Sequence, residues 1–341
     1  MLFTGILAFI VAAILTGVVR RLVLRRGLLD VPNERSSHAA PTPRGGGVAI
    51  VAVVLGGAAW WLSHGWLAPS LALGLLLGGG CVALIGFLDD HGHVPARVRF
   101  LVHLGALGGA LWAVGGLPPV PWGGERADLG LVGDVVACIA CAWFLNLFNF
   151  MDGIDGIAAA EAAFVSLAAA ALVAITGGPG SLVALWTIVG AASLGFLAWN
   201  WPPARIFMGD VGSGFLGFVI ALLLVTSSGT SGLSIWTSLI LVAPFAADAT
   251  VTLLRRVMRR ERWYSAHRTH AYQWLSRRWG SHARVTLLFV AINLLLVLPA
   301  AWWSIRRADL APGLAAAVLG ALALAAFAAG AGRREREPGR P

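Results

Sequence analysis

Residues 162–204 read AAFVSLAAAALVAITGGPGSLVALWTIVGAASLGFLAWNWPPA, a run without one Asp, Glu, Lys or Arg. About 20 mainly apolar residues suffice for a helix to cross a bilayer. The run is therefore long enough for two crossings, and its glycines and proline at 177–180 supply the turn between them. Working outward, residues 45–88 repeat the pattern with a bend at 63–69, and residues 211–247 turn at 227–232. The amino-terminal stretch 2–19 is apolar, with its positive charge behind it at Arg20 and Arg21. A cleaved leader carries that charge in front, so this stretch reads as a first span. The expectation is an all-α, polytopic integral membrane protein of eleven spans, near 2–20, 46–62, 68–88, 100–117, 131–148, 157–176, 181–199, 213–228, 234–254, 285–303 and 311–331. Residues 1–332 are expected to form one transmembrane domain, and 333–341 a short basic tail.

Composition agrees. Hydrophobic residues make up 58% of the 341, charged residues 12%, and the mean hydropathy is +0.80. So few charges cannot cover a water-soluble surface. The 25 basic residues are all Arg, and the formal charge is +9. Their placement argues against nucleic acid: 22 follow odd-numbered spans, whereas the other connections hold Arg126, Arg306 and Arg307 only. That asymmetry is the positive-inside signal, and it puts the amino terminus outside and the carboxyl terminus in the cytoplasm. Trp60, Trp61, Trp66, Trp122, Trp302 and Trp303 sit near the outer ends, where an interfacial belt belongs. Cys138 and Cys141 form a CxxC spacing inside the apolar stretch 135–148, with no second pair; they read as small packed residues rather than a redox or zinc site.

Every dense polar cluster falls on the cytoplasmic side, whereas a transporter places polar groups near the midplane. The first inner loop reads Asp30-Val-Pro-Asn33-Glu-Arg35-Ser-Ser-His38, then Pro41-Thr-Pro-Arg44-Gly-Gly-Gly47. Its Arg35 and Arg44 can reach phosphates, or simply grip lipid headgroups. Span three ends in Gly86-Phe-Leu-Asp89-Asp90. Adjacent carboxylates at a helix C-terminus are costly unless a cation or polar cleft offsets them. His91 and His93 follow in a wet loop. Next comes Asn146-Leu-Phe-Asn149-Phe-Met-Asp152-Gly-Ile-Asp155-Gly. Helical spacing puts Asn146, Asn149 and Asp152 on one side, and oxygen donors beside a glycine turn suit a hard divalent cation shared with phosphate oxygens. In Asn200-Trp-Pro-Pro-Ala-Arg205-Ile-Phe207-Met-Gly209-Asp210-Val-Gly-Ser213, a carboxylate stands immediately before span eight, where it is either functional or a helix N-cap with Ser213 as the capping hydroxyl. The longest inner loop holds His267-Arg268-Thr-His270-Ala-Tyr272-Gln273 amid nine Arg. These suit a pyrophosphate or an anionic membrane surface. Asp248, buried in span nine, is a further candidate.

Together, in this order and on one face, these motifs resemble those of the polyprenyl-phosphate N-acetylhexosamine-1-phosphate transferases. That family includes the initiators of O-antigen, enterobacterial common antigen and teichoic acid synthesis and the phospho-N-acetylmuramoyl-pentapeptide transferases. The resemblance implies transfer of a sugar 1-phosphate from a UDP-N-acetylhexosamine to undecaprenyl phosphate at the bacterial inner membrane, with Mg²⁺, or Mn²⁺ in its place. By resemblance, Asp210 is the metal ligand, helped by Asn149 or Asp152. Asp89 and Asp90 stand near the acceptor phosphate. Asp155 and Asn200 bind uracil, with Phe207 stacked on the base. His267, Arg268 and His270 lie near the pyrophosphate and sugar. Asn146 and Arg44 complete the substrate set. The run His-Arg-Thr-His-Ala-Tyr-Gln departs from the His-Ile-His-His of the enterobacterial branch and looks closer to pseudomonad O-antigen initiators. UDP-GlcNAc, UDP-GalNAc, UDP-FucNAc and UDP-QuiNAc all remain open as donors, and a homodimer is compatible with the sequence. An unperturbed Asp is a poor base for a phosphate whose second proton leaves near pH 6, so the Asp89/Asp90 pair is expected to position rather than deprotonate. The rivals are the muramoyl-pentapeptide donor and a transporter of lipid-linked sugar.

Overall fold

The computed structural model describes residues 1–27, 29–30, 41–92, 94–122, 125–261 and 267–334. Asn33, Arg35, His38 and His93, singled out above, lie outside these residues, as does most of the expected tail. The described chain is a helical bundle: α1 (Leu2–Arg25), α2 (Val48–Ser63), α3 (Pro69–His91), α4 (Ala96–Ala113), α5 (Gly130–Met151), α6 (Ile157–Ile175), α7 (Gly180–Asn200), α8 (Asp210–Thr230), α9 (Ile235–Leu241), α10 (Ala243–Met258), α11 (Ala271–Trp279), α12 (His282–Arg306) and α13 (Ala311–Ala329). Two short antiparallel pairs, Leu29–Asp30 with Thr42–Pro43 and Val120–Trp122 with Glu125–Ala127, sit in the connections.

The run at 162–204 folds as expected, into α6 and α7 with the turn between. The count of long apolar helices is lower than the eleven spans expected. Among the described residues, eight helices are long and apolar enough to cross a membrane, and α9 with α10 makes a ninth if that pair is counted as one span bent by 75°. The bend falls where Pro244, near the start of α10, has no N–H to carry the hydrogen-bond ladder through. The segments expected at 46–62 and 100–117 are helical, but α2 has only 16 residues and α4 opens with Arg97 and Arg99. The sequence reading also passed over α11, a short amphipathic helix inside the inner loop.

Helix α8 is the buried axis: 89% of its apolar window lies inside the protein, against 22% for α1. Burial on all sides requires close neighbours, and glycines permit them. A Cβ on Gly86 of α3 would lie 2.5 Å from the Asp210 carbonyl oxygen, and one on Gly47 would lie 2.3 Å from the Gly212 Cα. The first turn of α8 is thus clasped between α3 and the segment before α2. Because successive spans cross in opposite senses, the ends of α3, α5 and α7 gather with the starts of α4, α6, α8 and α12, and the polar motifs collect there.

Candidate active site

The centre of this end is an ion-pair lattice around the start of α8. Asp210 is the first residue of that helix, and its carboxylate receives Arg44 at 2.8 Å on one oxygen and Arg99 at 2.6 Å on the other. Arg44 also pairs with Asp90 at 2.9 Å, and Arg99 with Asp89. Asp89 accepts the Val94 N–H at 2.9 Å, which ties the α3–α4 turn to the lattice. For Arg44, burial disfavours the charge, but Asp90 and Asp210 outweigh it and hold the guanidinium firmly protonated.

The paired aspartates separate in role. The Asp90 side chain is 2% exposed. Its two oxygens accept the N–H groups of Asp210 at 2.9 Å and Val211 at 3.1 Å. A carboxylate there satisfies orphan donors and complements the positive end of the helix dipole. Asp90, expected beside the acceptor phosphate, caps α8 from α3 in this structure. The capping expectation for Asp210 and Ser213 is corrected. The N-cap position is Gly209, with no side-chain cap; the Ser213 hydroxyl donates to the Gly209 carbonyl at 3.1 Å and accepts from the Asn149 amide at 2.8 Å.

Two cavities flank this lattice. A polar one of about 220 Å³ is lined by residues that include Arg44, Asn149, Asp152, Asp155, Phe207 and Asp210. A second, of about 620 Å³ and mainly apolar, runs between α3, α4, α5 and α8; Arg97, Arg99, Phe100, His103, Trp143 and Asn146 are among its walls. Asn149 and Asp210 belong to both. Asn146, Asn149 and Asp152, placed on one side by spacing, do form a continuous wall: the first lines the apolar cavity, the last lines the polar one, and Asn149 stands between.

Several predicted residues are used inside the protein. The Asn200 amide accepts the Gly156 N–H and donates to the Ile206 carbonyl, each at 2.9 Å. It lines the polar cavity, where uracil was expected, and its amide also joins the 153–156 turn to the loop before α8. Asp155 accepts the Ala204 N–H at 3.0 Å and lies 3.3 Å from the His282 ring. Phe207 lines the polar cavity while its carbonyl accepts the N–H groups of Gly45 and Gly46 at 3.1 and 2.9 Å.

The inner-loop set departs furthest from expectation. Neither cavity is lined by His267, Arg268 or His270. His270 is 1% exposed; its ring stacks between His267 at 5.0 Å and Tyr272 at 5.6 Å. His267 faces Phe150 at 6.5 Å, at the edge of the apolar cavity. From this loop it is Gln273 that reaches the polar cavity. Asp248 is 2% exposed, and it accepts the N–H groups of Ala271 at 2.8 Å and Tyr272 at 3.0 Å. The buried acid of α10 thus caps α11 as Asp90 caps α8.

Burial pushes the His267 ring down to about 3, helped by His270 and Arg256. An unfolded His titrates near 6.5, so the folded state binds fewer protons between those values and stability falls as pH drops through that window. Melting temperature in detergent is expected to decline on acidification below pH 6.5, and less steeply in His267→Gln. Equal slopes would contradict the buried neutral ring.

The fit to a divalent cation follows from charge. Among the described residues, Asp89, Asp90 and Asp210 pair with Arg44 and Arg99, and Asp152 adds a fourth carboxylate to two guanidiniums. The Asp152 carboxylate has no hydrogen bond among the described residues, and burial pushes it well above the usual carboxylate range, with Asp210, Asp90 and Asp155 acting in the same direction against Arg44. No group of three described His, Cys, Asp or Glu side chains is placed to hold an ion unaided. Asp210 and Asp152, with the Asn149 amide oxygen, fit an ion that keeps water and takes substrate phosphates as its other ligands. Arg99, Gln273, His282 and His103 were missed as site residues. Arg99 and His282 each stand in a helix's first turn and reach the cleft, a placement visible only once the helices are packed.

Fold and site together define a multi-pass membrane enzyme that brings a polar cavity against an apolar one. The pattern of glycosyl transferase family 4 matches residues 72–228. A probable undecaprenyl-phosphate N-acetylglucosaminyl 1-phosphate transferase of Bacillus subtilis is 30% identical, over 86% of this chain and 84% of its own. A decaprenyl-phosphate N-acetylglucosaminephosphotransferase of Mycolicibacterium smegmatis is 28% identical, over 83% and 77%. A phospho-N-acetylmuramoyl-pentapeptide-transferase of Kocuria rhizophila is 31% identical, over 54% and 63%. The chain belongs to glycosyl transferase family 4.

Proposed function

We propose that this enzyme transfers N-acetylhexosamine 1-phosphate from a UDP-sugar to undecaprenyl phosphate, releasing UMP and initiating O-antigen or another cell-surface polysaccharide at the bacterial inner membrane. The observation that carries the reading is the meeting of the two cavities at Asn149 and Asp210. The polar cavity suits the nucleotide diphosphate, and the apolar one suits a prenyl chain whose phosphate reaches the shared wall. Arg97, at the mouth of the apolar cavity and without an ion-pair partner among the described residues, suits the acceptor phosphate. The relatives' names support the lipid acceptor and favour N-acetylglucosamine as the first sugar to try; the muramoyl-pentapeptide relative spans less of the chain.

An acceptor oxygen attacks the β-phosphorus, forming the new P–O bond as the bond to the bridging oxygen breaks, and UMP departs with that electron pair. Arg44 and Arg99 offset the charge that two anions bring together. Much of the acceptor is already a dianion at pH 7, so Asp89 and Asp90 serve by holding the guanidiniums and α8 in place. Mg²⁺, or Mn²⁺ in its place, held by Asp210, Asp152 and Asn149, would neutralise charge on the pyrophosphate oxygens. The site faces the cytoplasm, and the amino terminus faces outward.

The test supplies purified protein with undecaprenyl phosphate, Mg²⁺ and a panel of UDP-amino sugars. UMP that requires both lipid and metal is the expected result. UDP release would indicate a monophosphate-linked product instead, and no nucleotide release from folded protein would favour the transport reading.

A further inference from the structure

The segment that follows the last membrane helix is stitched to the histidine-bearing loop. At Gly330 the backbone turns through φ 105°, and Ala331 then lies fully buried. The Gly332 N–H donates to the Thr269 carbonyl at 2.7 Å. Arg255 donates to the Ala331 carbonyl at 2.5 Å while its guanidinium lies 4.1 Å from the Phe327 ring. Arg259 donates to the Gly332 carbonyl. Arg334 pairs with Glu261 at 3.0 Å, and Glu261 pairs in turn with Arg256 at 3.0 Å. Ala271, Ala326 and Ala331 pack into a small apolar cluster of their own, which joins α11, α13 and the segment.

Thr269 is the link inward: its hydroxyl lies 3.2 Å from Nδ1 of His267. His267 in turn faces Phe150, a wall of the apolar cavity. On its other side the loop is held by Asp248 through the first amides of α11. Residues 267–270 are therefore gripped from two directions, by a buried carboxylate and by the chain after α13. The position is fitted to glycine: Gly332 has φ +67°, and a Cβ there would lie 2.8 Å from the Arg255 Cβ and 2.9 Å from the Thr252 carbonyl oxygen.

We propose that residues 331–334 form a positioning strap that holds Thr269 and, through it, sets His267 at the edge of the acceptor cavity. This rests on the transferase reading of the two cavities. The strap acts on the rate of transfer by fixing the loop, without touching either substrate. A loop displaced by about 1 Å costs rate more than affinity when it shapes the approach of two reactants.

The test uses full-length Gly332→Pro, which removes the N–H donated to Thr269 and cannot adopt a positive φ. Hydrogen exchange and UMP release are measured on the same detergent-purified preparations. Expected are faster exchange at 267–270, unchanged exchange at 210–214, a fall in kcat of about ten-fold and a KM for the lipid acceptor that holds within about two-fold. The proposal is overturned by exchange at 267–270 equal to the parent's. A released loop with kcat within about two-fold of the parent's overturns it too, as does loosening that spreads to 210–214. Failure of the parent to release UMP from any donor would sink the transferase reading separately and leave the exchange measurement to decide the strap.

Discussion

Asp210→Asn is expected to lower UMP release by about 10³-fold while keeping the helix cap on α8. The carboxamide matches the carboxylate in shape, so α8 keeps its packing, and the cap on that helix comes from Asp90 rather than from residue 210. The charge is what changes. Arg44 and Arg99 each lose the partner that they share, and the proposed metal set loses one of its two carboxylates. The two guanidiniums keep their ion pairs with Asp89 and Asp90, and the position common to both cavities turns from anionic to neutral. Asp152 and Asn149 alone would hold a divalent cation on the donor pyrophosphate far more weakly. The check is UMP release across a range of Mg²⁺ concentrations beside a thermal melt in detergent. A variant that keeps more than about a tenth of parental activity at saturating metal would remove Asp210 from the chemistry, because so small a loss lies within what a single lost hydrogen bond costs.

Much of the fold was legible because the bilayer imposes a simple rule. Charge-free runs such as 162–204 have few alternatives to spanning helices, and the resulting alternation places each polar motif at one end. What the rule did not decide was length. The 16-residue α2 and the Arg-headed α4 lie between a span and a shorter helix, and a bend such as that before Pro244 interrupts a stretch that hydropathy reads as continuous. The amphipathic α11 was hidden because nine residues amid dense arginine show too little apolar periodicity to stand out.

The site was legible as a set of residues and much less so as a set of roles. Asn149, Asp152, Asp155, Phe207, Arg44 and Asp210 meet at one cavity, as motif order implied. Which polar groups face that cavity and which serve the backbone depends on packing partners far away in sequence. Asp90 and Asp248 both turn to helix N-termini contributed by other segments, and Asn200 joins two loops. A buried acid in a membrane protein reads as functional by default. Here two such acids have structural uses, because a helix that starts inside the protein needs a partner for its free N–H groups. The same reasoning explains why Arg99 escaped notice: in the sequence it is one more inner-face arginine, and only the approach of α4 to α8 makes it the second counter-charge of Asp210.

Those structural uses predict a sharp difference between neighbours that the sequence presents as a pair. In Asp90→Asn one carboxylate oxygen becomes an NH₂ group that must face the Asp210 or Val211 N–H, donor against donor, at a site with 2% exposure. Arg44 loses a buried counter-charge at the same time. Breaking a buried pair by removing one member costs about 3–5 kcal/mol, so a large fall in melting temperature is expected, with activity lost because the first turn of α8 shifts. Asp89→Asn should be milder. Its carboxylate is partly exposed and takes the Val94 N–H on one oxygen and Arg99 on the other, so the amide oxygen keeps one of these donors while the other turns to solvent. Its stability cost should be about 0.5–1.5 kcal/mol, the range of a single exchanged hydrogen bond. Melting curves and UMP release on the two variants, made side by side, decide the matter. If Asp90→Asn melts with the parent and loses only rate, its carboxylate acts on substrate and the capping role fails. If it melts far below both the parent and Asp89→Asn, the first aspartate serves the ion-pair lattice and the second holds the helix on which the proposed metal ligand stands.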